Sequence, residues 1–165
     1  MDRHDDLCNP QKRMDKSMTQ PSSLKTFLWY ADDLEGALNF YKSTFGDVVV
    51  KSENRMGDSL FTAEFSIYGH DLVGMNVPGG ETFNDSISLA ISCDGQEETD
   101  RLWDAITREG TPGKCGWCKD KWGVSWQIIP RQMNDFMSNP DPEKAQYAWQ
   151  AMRGMTKIVL ADFTA

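Results

Sequence analysis

The chain has 165 residues and a net charge of −8 at pH 7. That length suits a single domain with its own core and is too short for two independent domains. The Lys and Arg residues are scattered among carboxylates, which excludes nucleic acid as a partner class. No apolar run approaches the roughly 20 residues of a membrane span, so we expect no membrane partner.

Residues 1–23 mix acidic and basic side chains and contain no apolar stretch that resembles a signal peptide. We predict a disordered polar tail over this range. The chain has four cysteines, and without a secretory signal these suit a reducing compartment better than a disulfide-bonded scaffold. We therefore expect a cytoplasmic protein.

The first predicted elements after the tail are a strand, a helix and three more strands. Residues 25–30 form a short apolar run rich in aromatic side chains, which is typical of a buried strand. Asp32 and Glu35 then resemble a capping box, and apolar residues recur at helical spacing until Gly46 ends the helix. Strand-like stretches follow at 47–52, 60–68 and 71–77. Residues 24–82 therefore predict a βαβββ module.

A second module repeats this order. Residues 86–93 alternate like a strand, and Asp94 with Glu97 repeats the helix start 62 positions later. Further strands are predicted at 114–118 and 124–129. The spacing indicates an internal duplication. We place the second module at about 86–130, within a single domain over 24–165.

Residues 131–165 predict a C-terminal extension made of one helix and one strand. Asp141 followed by Pro142 places a capping residue before a proline in the first helical turn. Gly154 ends this helix, and Lys157 to Leu160 is predicted to be a last strand. The helix carries an apolar stripe formed by Ala145, Ala148, Trp149 and Met152.

Two stretches resemble one protein family. Phe27-Leu28-Trp29-Tyr30 precedes Ala37-Leu38-Asn39-Phe40-Tyr41, and residues 119–131 read Lys-Asp-Lys-Trp-Gly-Val-Ser-Trp-Gln-Ile-Ile-Pro-Arg. With the tandem modules, they resemble the PhnB-like branch of the vicinal-oxygen-chelate superfamily (glyoxalase I, extradiol dioxygenases, bleomycin-resistance proteins) over residues 24–163. The resemblance implies an α+β fold whose two sheets curl into a cup. It also implies a homodimer, for which we expect Tyr147, Trp149 and Met152 to supply contact surface.

Members of that branch are often labelled 3-demethylubiquinone-9 3-methyltransferase, but the glycines of this chain do not fit that chemistry. Enzymes that bind S-adenosylmethionine usually present a glycine-rich turn between a strand and a helix of a Rossmann-like unit. Neither Gly79-Gly80 nor residues 110–113 occupy such a turn. We therefore do not expect a methyltransferase.

The resemblance also implies where metal ligands would lie. In the superfamily's metalloenzymes each module supplies two ligands, and the corresponding positions here are Thr26, Asn76, Ser88 and Gln127. These side chains offer neutral oxygen donors and lack the imidazole or carboxylate that holds a transition metal. The chain has only two histidines, His4 in the tail and His70 in a turn. We expect neither a bound metal nor another cofactor.

In place of a metal, we predict a polar-floored pocket for a small oxygenated organic molecule. Thr26, Leu28 and Tyr30 share one face of the first strand, while Gln127 lies on the last strand of the second module. The alternative is that these are core residues of a closed structural barrel. The full set of predicted pocket residues is Thr26, Leu28, Tyr30, Asn76, Ser88, Cys115, Trp117 and Gln127.

Cys115 and Cys118 have the spacing of a redox-active dithiol. Such motifs usually begin a helix, whereas this segment predicts a strand, in which residues three apart point to opposite faces.

The leading hypothesis for the function is a metal-independent small-molecule-binding protein with unassigned activity. Two alternatives stay open: a lyase, isomerase or dioxygenase that recruits a divalent metal through Gln127, and a thiol redox protein using the cysteine pair.

Overall fold

The computed structural model describes residues 23–164, so nearly all of the predicted tail lies outside the described residues. The first module comprises β1 (Thr26–Tyr30), α1 (Leu34–Thr44), β2 (Val48–Met56), β3 (Ser59–Ile67) and β4 (His70–Asn76). The second comprises β5 (Leu89–Cys93), α2 (Gly95–Thr107), β6 (Thr111–Pro112), β7 (Trp117–Lys119) and β8 (Ser125–Pro130). The extension contains α3 (Met133–Met137), α4 (Pro142–Gly154) and a 3₁₀ helix (Leu160–Phe163). Among these helices, none has the length and apolar character needed to cross a membrane.

Strand pairing confirms the predicted duplication and the α+β class. Each module forms one four-stranded sheet, in the orders β1-β4-β3-β2 and β5-β8-β7-β6. In both sheets the first strand runs parallel to the fourth, and the other pairs are antiparallel. Two segments of unlike sequence therefore fold with the same topology.

The first helix starts one residue later than predicted, and the second starts at the predicted position. The residue before α1 is Asp33, which adopts a left-handed conformation with φ 54° and accepts a hydrogen bond from the Gly36 amide. The residue before α2 is Asp94, whose amide donates to Glu98 at 2.6 Å. The prediction of Asp32 as the cap is wrong, and the two caps, at positions 33 and 94, are separated by 61 residues instead of 62.

Each sheet has one face covered by helices, and the covered faces share one core. In the first sheet Leu28 and Tyr30 point toward α1, and a side chain at Gly74 would collide with Leu34. Trp126 and Ile128 of the second sheet belong to the same cluster of buried residues. We call the other side of each sheet its open face.

A buried carboxylate joins the two modules. Asp120, in the turn after β7, accepts hydrogen bonds from the Tyr41 hydroxyl of α1 at 2.8 Å and the Trp126 indole at 3.0 Å. Its other oxygen accepts from the backbone amides of Trp122 and Val124, each at 3.0 Å. Burial raises the pKa of this carboxyl, and the four hydrogen bonds act in the opposite direction by stabilising its ionised form. Side chains from both modules thus converge on one acceptor.

The predicted last strand is wrong. Lys157 to Leu160 leads into the 3₁₀ helix and does not belong to either sheet. The backbone of this segment hydrogen-bonds to a side chain and not to a strand. Gln96 of α2 donates to the Ile158 carbonyl at 3.0 Å and accepts from the Leu160 amide at 2.7 Å. The extension also packs against Ile129 on the open face of the second sheet.

We expect Asp120→Asn to destabilise the fold by about 2–4 kcal/mol. The side-chain amide of Asn would direct N–H groups toward the Tyr41 hydroxyl, the Trp126 indole and the backbone amides, all of which are hydrogen-bond donors to Asp120. Asp104→Asn is the control, since Asp104 is an exposed carboxylate 3.8 Å from Lys157. Urea unfolding should show a lowered midpoint for Asp120→Asn alone. Equal midpoints for the two variants would contradict the role given to Asp120.

Candidate functional site

The four predicted pocket residues of the first module lie on the covered side of the sheet. Tyr30 is fully buried and its hydroxyl contacts that of Tyr41 at 3.1 Å. Leu28 is also buried, and borders only a crevice of about 10 Å³, which is about the minimum for one water molecule. Asn76 accepts from the Leu34 amide at 2.9 Å and donates to a carbonyl of β3 at 2.7 Å, so its amide group holds α1 against the sheet. Leu28, Tyr30 and Asn76 therefore pack or hydrogen-bond within the fold, and their roles are structural.

The predicted residues of the second module lie on or beside an open face. Trp117 and Gln127 are paired across β7 and β8, and the Gln127 amide donates to the Ser88 hydroxyl at 2.8 Å. Cys115 lies in the turn before β7 with φ 55°. Together with Trp117 it borders a cavity of about 580 Å³ at the β6–β7 edge. The structure thus brings together Ser88, Trp117 and Gln127, whereas Tyr30 and Asn76 belong to the packing of the first module and Leu28 reaches Ser88 only at the small crevice that both border.

Two residues on the open face of the first sheet were missed by the sequence reasoning. Phe27 and Trp29 alternate with the buried residues of β1 and are 52% and 48% exposed. The 61-residue separation of the helix caps aligns them with Ser88 and Ala90, which face the open side of β5. The sequence reasoning chose the face of Thr26, Leu28 and Tyr30 instead, because alternation along a strand does not tell which of its two faces a helix covers.

A larger cavity, of about 610 Å³, lies between the two modules. From the first module it is lined by Ile67, Tyr68, His70 and Leu72, and from the second by Ser88, Leu89, Ala90, Ile91, Ser92, Glu98, Trp126 and Arg131. Two of its polar groups are held in place by predicted pocket residues. The Thr26 hydroxyl is 3.1 Å from the His70 ring, and Gln127 holds Ser88. Thr26 and Gln127 therefore contribute to this cavity indirectly, because each of them holds a residue that lines it. We call it the inter-module cavity.

The charged groups of the inter-module cavity are balanced. Glu98 accepts from the Asp94 amide and lies 3.7 Å from Arg101. Arg131 lies 3.8 Å from the Asp94 carboxylate, which is beyond hydrogen-bonding distance. The remaining polar groups are hydroxyls and one imidazole, set among apolar side chains. Such a lining suits an organic molecule of low net charge.

The residues at the implied metal positions do not fit a divalent metal. Gln127 directs its amide nitrogen at Ser88, and both polar atoms of Asn76 are bound to backbone groups. Within residues 23–164, no three His, Cys, Asp or Glu side chains group closely enough to hold an ion. His4 lies outside the described residues. No chemical step is therefore assigned to a metal here.

The cysteine pair does not form a dithiol site. Cys118 is 2% exposed and faces the core, where burial raises its pKa to about 12. Cys115 lies in the preceding turn, and the two thiols are not bonded to each other. A thiol with such a pKa is almost entirely protonated at neutral pH, which makes it a poor nucleophile.

Solved structures similar to this chain come from several bacteria. A protein described as putative 3-demethylubiquinone-9 3-methyltransferase, PhnB protein, from Bacillus cereus is 26% identical, over 66% of this chain and 99% of its own, with a TM-score of 0.61. Protein PA1353 from Pseudomonas aeruginosa is 20% identical, over 63% of this chain and 95% of its own, with a TM-score of 0.53. A glyoxalase/bleomycin resistance protein from Albidiferax ferrireducens is 16% identical, over 63% and 95%, with a TM-score of 0.45.

Among curated proteins, none is significantly similar to this chain. A family model described as 3-demethylubiquinone-9 3-methyltransferase matches residues 22–129, which include the strands of both modules except the last residue of β8. The chain therefore belongs to that family, the PhnB-like branch of the vicinal-oxygen-chelate superfamily.

Proposed function

We propose that the chain is a metal-independent small-molecule-binding protein whose ligand occupies the inter-module cavity. The observation that carries this proposal is the cavity itself. Its volume of about 610 Å³ falls in the range typical of small-ligand sites, and its lining combines apolar walls with a few polar groups. Both modules contribute, so the ligand site would be a consequence of how they pack together.

The polar groups of the cavity are held before any ligand arrives. Thr26 fixes the His70 ring, and Gln127 fixes the Ser88 hydroxyl. Groups that are already oriented lose little conformational entropy on binding, which favours affinity for a matching ligand. We infer that a small oxygenated organic molecule would lie against the half-buried Leu89 and Ile91, above the buried Leu72 and Trp126, with its oxygen atoms near Ser88 and His70.

The alternative functions receive less support. A metal-dependent lyase, isomerase or dioxygenase would need Gln127 to turn away from Ser88 and to act with few other ligands. A thiol redox protein would need the buried Cys118. Methyl transfer, which the family description names, would need a nucleotide-type glycine turn that neither sheet offers among the described residues. A cytoplasmic location is part of the proposal because the described cysteines are unpaired thiols.

We also propose that the chain forms a homodimer. On α4, Tyr147 and Trp149 are exposed but only two positions apart, so they point to different flanks of the helix. Phe27 and Trp29, in contrast, project from the same face of β1 and form a coherent apolar patch. The open face of the first sheet is therefore a better contact surface than the helix expected from the sequence.

Filling the inter-module cavity should abolish ligand binding. A panel of phenols, amides, hydroxy acids and amino acids is screened for an increase in melting temperature. We expect hits that Ala90→Trp loses, because Ala90 borders the cavity and an indole there narrows it, and that Ala161→Trp, at an exposed position of the extension, keeps. Hits should be unchanged by EDTA. Hits that require a stoichiometric metal would favour the enzyme alternative, and hits insensitive to Ala90→Trp would contradict the site.

Light scattering at micromolar concentration should give twice the 18.7 kDa mass of one chain. Trp29→Glu should reduce the mass to that of one chain, because a carboxylate cannot be buried unpaired in an apolar interface. Trp149→Glu is the matched control and should leave the dimer intact. A wild-type mass of one chain would exclude the dimer. Dissociation by Trp149→Glu alone would show that the dimer interface lies on α4.

Thiol titration of the folded protein should distinguish the two cysteines of the pair. Replacing Cys115 by Ser should remove one thiol that reacts with an aromatic disulfide reagent at neutral pH. Replacing Cys118 by Ser should change the count only after unfolding, since Cys118 is buried with a pKa of about 12. Rapid reaction of Cys118 in the folded protein would contradict its burial and would favour the thiol redox alternative.

A further inference from the structure

A second cavity, of about 200 Å³, lies where α1, the end of α2 and the turn between β7 and β8 meet. It shares no lining residue with the inter-module cavity. Its accessible lining consists of Asp33, Gly36, Phe40, Glu109, Lys121 and Trp122. We call it the α1–α2 cavity. Its volume lies below the range typical of drug-sized ligands, so it suits a small molecule.

Two aromatic side chains form walls of the α1–α2 cavity. The ring centroids of Phe40 and Trp122 are 5.6 Å apart, and the ring planes are inclined by 49°. Both side chains are half-buried, so each leaves part of its surface accessible. The face of an aromatic ring carries a negative partial charge and attracts cations. The walls are therefore suited to a positively charged group.

The chain already directs a cation of its own to this place. The Lys121 ammonium lies 5.7 Å from the centroid of the Trp122 ring and 3.2 Å from the Glu109 carboxylate. The Lys121 and Glu109 side chains are 54% and 66% exposed. An ion pair this exposed contributes little to stability. A ligand with the same charge can therefore replace the lysine at low cost.

Asp33 adds a negative charge without a cationic partner. One of its oxygens accepts from the Gly36 amide at 3.0 Å, as the cap of α1. Within residues 23–164 no ion pair joins this carboxylate to Lys, Arg or His. A side chain at position 36 would overlap the carboxylate, so glycine keeps this part of the lining open. Glu109 and Lys121 offset each other, and Asp33 leaves one negative charge in excess.

The aromatic walls are held by the buried Asp120. The Trp122 amide donates to the Asp120 carboxylate at 3.0 Å. Phe40 precedes Tyr41 on α1, and the Tyr41 hydroxyl donates to the same carboxylate at 2.8 Å. Both walls are thus attached to one rigid junction. Groups that are positioned before the ligand arrives lose little conformational entropy on binding.

We propose that the α1–α2 cavity binds a small organic cation that carries a quaternary ammonium group. The cationic head lies against Phe40 and Trp122, in the place of the Lys121 ammonium, and Asp33 balances its charge. A quaternary ammonium group has no N–H and needs no hydrogen-bond acceptor, so aromatic faces and a nearby carboxylate are enough to recognise it. This site goes beyond the proposed function, because it belongs to a different cavity and takes a different class of ligand.

The first test compares choline with 3,3-dimethylbutan-1-ol, in which a carbon atom replaces the nitrogen. Each is titrated into the full chain at constant ionic strength, and binding is followed by the indole N–H resonance of Trp122. We expect choline to bind about tenfold more tightly than the neutral alcohol, because only choline gains the attraction of the rings and the carboxylate. Equal affinities, or no saturable shift with choline, would overturn the proposal.

Asp33→Asn tests the carboxylate. Asparagine keeps the capping oxygen and tolerates the left-handed conformation of residue 33, so the fold should be retained. We expect choline to bind about threefold more weakly, because one attractive charge is lost. Asp32→Asn is the matched control: it removes the same charge from an exposed neighbour that does not line the cavity and should leave binding unchanged. Equal effects of the two variants would show attraction by the overall charge and would contradict the site.

Lys121→Met gives a prediction of opposite sign. Methionine removes the competing ammonium, so choline should bind about threefold more tightly. Lys42→Met removes the same charge from an exposed position of α1 outside the cavity and should change little. Weaker binding by Lys121→Met, or equal gains in both variants, would contradict displacement of the lysine.

Ala90→Trp should leave choline binding unchanged, because Ala90 borders only the inter-module cavity of the two. Loss of choline binding in this variant would place the cation in the inter-module cavity and overturn the present site. The two sites therefore stand or fail independently of each other.

Discussion

The Asp120 carboxylate is the contact through which the two halves of this protein are fixed relative to one another. It lies in a turn of the second module and accepts a hydrogen bond from a tyrosine on the first helix of the first module. A carboxylate buried among aromatic rings is costly unless its lone pairs are filled, and here four donors fill them. The position of the inter-module cavity follows, because its walls come from both modules and are defined only once the modules are locked together.

The two faces of each sheet explain why the predicted site divided into two groups. Helices cover one face of both sheets and bury Tyr30, Ile128 and their neighbours in a shared core. The open face of the first module carries Phe27 and Trp29, and that of the second carries Ser88 and Gln127 beside Trp117 and Ile129. The duplicated modules have thus kept one topology and diverged in what they expose: an apolar patch in one, and a mixed surface with hydroxyl and amide groups in the other. We attribute self-association to the first and ligand binding to the region beside the second.

The sequence was a good guide to topology and a poor guide to strand faces. Apart from β6 and α3, which were not predicted, the order of elements up to α4, the duplication and the family resemblance followed from local signals, namely alternation, helical periodicity and glycine turns. The choice between Asp32 and Asp33 as the cap required knowledge of the backbone, since a left-handed residue can precede the helix. Alternation along β1 also does not tell which face the helix covers, and for that reason Leu28 and Tyr30 were assigned to a pocket although they belong to the core. The supposed last strand failed for a different reason, because its backbone bonds go to Gln96, more than 60 residues away. The inter-module cavity had no local signal either, since Leu72 and Trp126 approach only through packing.

The central claim is that a ligand enters between the modules, and fluorine spectroscopy tests it most directly. The protein is labelled with 5-fluorotryptophan, and each resonance is assigned by replacing one tryptophan at a time. Trp126 borders the inter-module cavity, Trp117 borders the cavity at the β6–β7 edge, and Trp149 lies on the distant α4. During titration with the compounds that raise the melting temperature, the account predicts that the Trp126 resonance moves and that the Trp117 and Trp149 resonances stay in place. Movement of Trp117 alone, with Trp126 unchanged, would contradict it.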